Sequence, residues 1–550
     1  MGDRVIRCDV LIIGGGGAAA RAAVEASDSG ATVHMALKGR LGKSGSTVFP
    51  VSLHGTFGAV DDSDPDDSIE RHYQDTMVNA QGMCDPRLAR IVAQEAPLAL
   101  RKLAAEGVPF LSDSHGQRQR WQGCFASHPR SHRIEGHGGP IMHALIQQIA
   151  ARPITVNEKI FIEDLLVQDG MCIGAIGVDT SGHRTFYLAG ATVLGTGGAG
   201  QLFKANINPK GITGDGYAMA WRAGARMVNM EFMQTGIGIL TPLTLMSAWT
   251  WAYKPTLRNS DGEEFLQSTL PLGLTVEDVY QAKTGHFPFS SRDISKYLEV
   301  GILQQQREGR TVHYDMRNSP RLAEYKTMPM FPWLLKRGLD LENATAQISV
   351  YAQAINGGVL IDEFGSSSLP GLYAAGEVAG GAHGADRLGG AMLSNSQIFG
   401  ARCGRYAAER ALSNPKPNWR GSWPAEIVEA PDEARSQACE VDRTNLTSLM
   451  FDALLIERNG ATMASAEIVL NELQSRWKDA PRSWAEHELR NQIQTGLLML
   501  RAAQTRRESR GSHFRSDFPN RDDSTWGRVI AQQQVNNESQ LKLIDLHVVS

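Results

Sequence analysis

The feature that most constrains this chain lies near its start. Cys8 to Ile13 (CDVLII) is a short apolar run, four glycines follow it, and the alanine-rich AAARAAVEA comes next. That order reads as strand, tight turn and helix. Ala31 to Leu37 (ATVHMAL) reads as the next strand and completes a βαβ unit of ~30 residues. Gly14, Gly16 and Ala19 fit the GxGxxG/A pattern, with Gly17 and Ala18 on the same turn. Glycine lets the turn close, lets backbone N–H groups approach a pyrophosphate, and aims the helix N-terminus at its charge. In the full dinucleotide fingerprint an acid ends the second strand and holds a ribose. Here Leu37 occupies that position and Lys38 follows, so a simple NAD reading lacks its ribose contact.

With 550 residues, of which 42% are hydrophobic and 21% charged, the chain can bury a large core and build more than one domain. A net charge of −4 gives no basic footprint for nucleic acid or an anionic membrane. The six cysteines (Cys8, Cys84, Cys124, Cys172, Cys403 and Cys439) are scattered without a CxxC pair, which speaks against a bound metal and against a disulfide framework. No apolar stretch approaches the ~20 residues of a membrane-spanning helix. The N-terminus runs almost directly into a strand, leaving no space for a secretory signal. The expectation is a cytoplasmic protein without membrane insertion.

Texture divides the chain. Residues 1–226 and 345–414 are Gly-rich α/β and read as two parts of one nucleotide-binding domain. Residues 227–344 have fewer glycines, crowd Trp249, Trp251 and Tyr253 together, and read as an inserted α+β capping domain. After the Pro/Asn-rich SNPKPNWRGSWP, residues 415–550 read as a helical domain and tail. Ser483 with Glu486 predicts a capping box ahead of the apolar stripe Leu489, Ile493, Leu497 and Leu500.

Two later glycine clusters sharpen the ligand. LGTGGAG contains Thr196, Gly197 and Gly198, and TGDG, with Asp215, comes shortly after; LYAAGEVAGGAHGADRLGG runs from Leu372 to Gly390. Separated Gly-rich segments imply a long ligand threaded through a discontinuous domain, which suits FAD better than NAD. On these motifs the chain resembles, over nearly its full length, the flavoprotein family of succinate dehydrogenase, fumarate reductase and L-aspartate oxidase. The segment ESRGSHFRSDFPNRDDSTW (Glu508 to Trp526) is similar to the end of that family's helical domain. The resemblance implies a Rossmann-like FAD domain, a capping domain and a C-terminal helical domain. It implies that Glu377, in AGE, binds the FAD ribose, that Lys38 stands beside the adenosine half, and that Ala391 and Leu393 complete the cofactor wall. Membrane-bound members attach FAD covalently through a histidine in a Ser-His-Thr segment. Here that stretch is Gly45, Ser46, Thr47, with serine replacing the histidine, so noncovalent FAD is implied.

The family moves a hydride between flavin and a carbon beside a carboxylate-bearing carbon. The resemblance makes Arg292, in SRD, the proton-exchanging arginine, with an ion pair to Asp293 as the alternative. It makes Arg387, in ADRLGG, the carboxylate clamp and a cofactor contact, and His383 a substrate contact. Two substrate histidines are missing: the family's FHPTG reads Phe232, Met233, Gln234, Thr235, Gly236, and its HYTxGG begins at Gln353. Met233, Gln353 and Tyr253 are therefore expected to shape an altered substrate site, unless the aromatic cluster at 249–253 is core. Its AW…K pattern faintly resembles the adenylylsulfate reductase flavoprotein. These readings favour a stand-alone FAD enzyme acting on a carboxylate other than a simple C4 dicarboxylate. An electron-transfer subunit with a protein or quinone acceptor is the alternative, and a flavin-retaining protein without catalysis is a third.

Overall fold

The computed structural model describes residues 4–52, 55–421, 432–536 and 538–546. Strand β1 (Arg4–Ile13) lies between parallel neighbours β2 (Val33–Leu37) and Arg184–Leu194, and Ile154–Glu158 extends the sheet beyond β2. Leu372–Ala374 joins in parallel on Arg184–Leu194, while Met171–Asp179 and Ile160–Gln168 add antiparallel strands. The inner strands are buried on both faces, hence the continuous apolar run of CDVLII.

Helix α1 (Gly17–Asp28) covers this sheet together with the helix Ala391–Ser413. The two approach closely because small residues face each other. A Cβ on Gly400 would sit 2.7 Å from the Ala18 carbonyl oxygen, and one on Gly404 would sit 2.3 Å from that of Ala22. The alanines of AAARAAVEA therefore serve helix–helix contact as much as helix propensity.

Strands of the inserted region build an antiparallel sheet around Ala346–Ile355, which follows the insert, in the order Thr244–Leu245, Met233–Ile239, Ala346–Ile355, Val312–Asp315, Thr256–Asn259. The aromatic cluster belongs to its core. Trp251 is 1% exposed and packs on Tyr280 and Tyr314, while Tyr253 packs on Trp249 and Tyr325 under the Arg321 guanidinium.

Helices Glu433–Leu454, Gly460–Arg476 and Trp484–Thr505 form the C-terminal bundle. Ser483 caps the last of them, accepting from the Glu486 N–H at 3.3 Å. The reciprocal half of the predicted box is not made. The Glu486 carboxylate accepts instead from the Arg435 guanidinium, a charged and therefore stronger donor, and from the Arg482 backbone N–H. Beyond the bundle, buried Arg506 pairs with Glu231 and Glu508, each at 2.8 Å, fastening this segment to the start of the inserted sheet. Val529–Val535 then pairs with Met227–Val228. Among the described residues no helix is long and apolar enough to cross a membrane.

Candidate active site

One cavity of about 820 Å³ runs from the carboxyl ends of the central strands to the inserted sheet, within the size range of cofactor sites. At its first turn Gly14 adopts φ +115°, and a Cβ there would stand 2.3 Å from the Gly195 carbonyl oxygen. Glycine is the residue that fits. Gly16 caps α1 without a side chain, leaving that helix N-terminus open toward the cavity, and the Gly17 N–H donates to Thr47 Oγ1 at 3.1 Å. Gly45, Ser46 and Thr47 line the cavity beside this turn, where the Ser46 hydroxyl donates to Asn208 Oδ1 at 3.4 Å.

Thr196 and Gly197 line the same space, and the Thr196 hydroxyl is buried without a partner. Gly198 is not on the wall. It makes room for Glu377, whose Oε1 would be 2.0 Å from a Cβ at that position. Glu377 accepts from the Ile355 N–H at 3.0 Å, and burial pushes its carboxyl up to about 7. Ala391 opens the long helix as a buried residue, while Gly390 before it and Leu393 after it reach the cavity.

At one end Lys38 Nζ donates to Thr213 Oγ1 (2.7 Å), Asp215 Oδ2 (2.6 Å) and Glu488 Oε1 (2.9 Å). Burial alone would lower its pKa, but the two carboxylates outweigh burial and raise it. Glu488, Arg443 and Trp484 on this wall come from the helical bundle and were not anticipated from the sequence. The cue was an acid and a tryptophan on the first turns of an otherwise apolar-striped helix, a pattern that also fits a surface.

At the other end stand Arg387, Gln234, Gln353, Cys124 and Phe287. Arg387 is 8% exposed; its Nε and Nη2 donate to Gln234 Oε1 at 3.0 and 2.7 Å, and its Nη1 donates to the Leu388 carbonyl at 2.8 Å. These hydrogen-bond partners are all neutral, and Arg387 forms no ion pair among the described residues; burial lowers its pKa, while Cys124 and the more distant Glu377 carboxyl oppose that shift. His383 lies close behind, with its Nε2 unpartnered; burial, then the Arg387 charge, pulls it down to about 3, so it stays neutral.

Several expected substrate residues lie elsewhere. Met233 faces the core at 0% exposure, because side chains alternate along its strand and Gln234 takes the cavity side. Tyr253 belongs to the aromatic core described above and is not on the wall. Arg292 is not on the wall either. Its Nη2 and Nε donate to Asp386 Oδ2 at 2.5 and 3.1 Å, its Nη1 donates to Asn79 Oδ1 at 2.8 Å, and its guanidinium lies over the Phe125 ring. Asp293, its sequence neighbour, pairs instead with His286 at 3.1 Å.

The model of an FAD binding domain matches residues 9–393, and that of the fumarate reductase flavoprotein C-terminus matches residues 443–549. The chain belongs to the succinate dehydrogenase, fumarate reductase and L-aspartate oxidase flavoprotein family. It is 33% identical to a subunit of the fumarate reductase (CoM/CoB) of Methanothermobacter marburgensis, covering 94% of this chain and 96% of that one. It is 29% identical to L-aspartate oxidase of Pseudomonas aeruginosa, over 93% and 95%. Among solved structures, Mycobacterium smegmatis Sdh1 in complex with UQ1 superposes with a TM-score of 0.82 at 26% identity, covering 98% and 94%. An adenosine-5-phosphosulfate reductase shares the fold, with a TM-score of 0.75 at 17% identity over 98% and 96%. This member of the family is an FAD-dependent oxidoreductase, and its cavity suits the cofactor. Glycine turns admit a pyrophosphate beside an open helix N-terminus, half-buried Thr196 and Glu377 line the space, and Ser46 offers no imidazole for covalent attachment.

Proposed function

We propose that this enzyme moves a hydride between FAD and a carbon adjacent to the carboxylate-bearing carbon of a substrate other than a simple C4 dicarboxylate. One observation carries the reading: Arg387 is a buried cation on the cavity wall whose partners are all neutral. The Glu377 carboxyl acts on it only through space, and a buried cation with no hydrogen-bonded anion is costly, so this position calls for an anion from the ligand. FAD, when bound, supplies a carrier that accepts or returns two electrons as hydride. In this reading Gly14 to Ala18, Gly45 to Thr47, Thr196, Gly197 and Leu393 hold it, Glu377 takes a ribose hydroxyl, and Lys38 with Asp215 closes the adenosine end. Arg387 fixes the substrate carboxylate, Phe287 and Cys124 shape the space beside it, and the accompanying proton passes to a wall group or to water. Arg292, engaged by Asp386, could meet substrate only by leaving that carboxylate; here it balances Asp386 next to Arg387.

Gln353 replaces a cationic-capable histidine with a neutral amide, so a second carboxylate finds no charge opposite it. A missing polar partner can cost specificity by orders of magnitude. Succinate, fumarate and L-aspartate are therefore expected to be poor substrates. Anaerobic titration of the holoenzyme with a panel of carboxylic and amino acids, following flavin bleaching, tests this. Efficient turnover of any of the three overturns it. A second reading makes this chain an electron-transfer component of a larger complex, and it draws support from the archaeal relative, which is named as one subunit of its enzyme. Slow reoxidation of the reduced lone chain by oxygen, with fast reoxidation by a quinone, would favour it.

A further inference from the structure

We infer that Gln234 is the second half of the carboxylate site: it holds Arg387 without pairing it to an anion, and itself donates to the bound anion. The inference rests on the reading of Arg387 given above. A guanidinium has five N–H donors. Nε–H and one N–H of Nη2 go to Gln234 Oε1, and one N–H of Nη1 goes to the Leu388 carbonyl. One N–H therefore remains on each terminal nitrogen, a pair that suits the two oxygens of a carboxylate.

The orientation of the Gln234 amide is fixed by chemistry. Two guanidinium donors converge on one of its heavy atoms, which must be the acceptor, so the other is the NH₂ group. That nitrogen has no hydrogen-bond partner, although Gln234 is 1% exposed and lines the cavity. A buried amide donor left unpaired costs about 1–3 kcal/mol, and an anion seated on Arg387 would relieve it. The combined set is all donors and no acceptor, which selects an oxyanion over a neutral amide or hydroxyl.

Neutrality at position 234 matters as much as the donor. Asp386 shows the alternative, since a carboxylate against the Arg292 guanidinium compensates it internally. A glutamate at 234 would do the same to Arg387 and leave no attraction for a ligand. Glutamine holds the guanidinium in place through the same two hydrogen bonds while leaving its charge for the substrate.

The test uses the FAD-loaded enzyme, acetate as probe and acetamide as its neutral isostere, with flavin difference absorbance giving Kd. Wild type should respond to acetate and not to acetamide. Gln234→Leu, which removes the donor, should weaken acetate about tenfold, and Gln234→Glu should weaken it at least hundredfold, both with unchanged FAD content. If Gln234→Glu does not take up FAD, Gln234→Leu decides alone. Wild-type acetate affinity in Gln234→Leu overturns the inference; loss of acetate binding in Arg387→Ala would then leave the Arg387 reading standing. Unchanged acetate binding in Arg387→Ala, or no acetate response in wild type, overturns both.

Discussion

The two ends of the cavity treat buried charge in opposite ways. At one end Lys38 has its charge answered inside the protein, by Asp215 and by Glu488 from the helical bundle. At the far end Arg387 has neutral partners alone. The first arrangement is architecture that stands without a ligand, and the second is incomplete until one arrives. Internal pairing thus separates charges that build the site from the charge that uses it. The same rule sorts the two family arginines, since Arg292 is answered by Asp386 and Arg387 is not.

The largest expected effect comes from deleting the answered charge. Lys38→Met strands two partly buried carboxylates, and breaking such a pair costs about 3 kcal/mol, the lower figure applying because the lysine is partly exposed. Urea unfolding of the cofactor-free protein reads this directly, and an unchanged midpoint would break the contrast between the ends.

Next in size is a pH effect at the middle of the cavity. Glu377, with its carboxyl near 7, is protonated in the free protein below that pH, and in the proposed site a ribose hydroxyl donates more strongly to the carboxylate than to the neutral acid. FAD affinity should therefore rise with pH, by up to about tenfold in all, and level off above about pH 7. Glu377→Gln should flatten the profile. A flat wild-type profile would show that FAD does not draw on that carboxylate.

The smallest effect is the most diagnostic. Arg387→Met removes an unanswered buried cation, leaving the Gln234 carbonyl unpaired as its offsetting loss. Cofactor-free stability should stay within about 1 kcal/mol of wild type, with a gain as readily as a loss. A loss near that of Lys38→Met would mean that Arg387 is structural.

What could be read from the sequence follows the same division. The glycine turns were legible because φ and close backbone approach leave one residue type at Gly14, and because Gly198 must clear Glu377. The family's domain order was legible for the same reason, through motifs tied to backbone geometry. The substrate end was not. Matching by motif position points to Met233, but strand alternation turns its neighbour Gln234 to the cavity. Chain order offers Asp293 as the partner of Arg292, whereas its partner in space is Asp386. Tyr253 could be core or wall on composition alone, and its ring partners make it core.

The hydrogen bond from Lys38 to Glu488 spans 450 positions of the chain. During synthesis the first βαβ unit leaves the ribosome long before the bundle that supplies Glu488, Arg443 and Trp484 to the same wall. A nascent chain that folds its central sheet early thus still lacks part of this cavity wall, which is complete only once the bundle has docked.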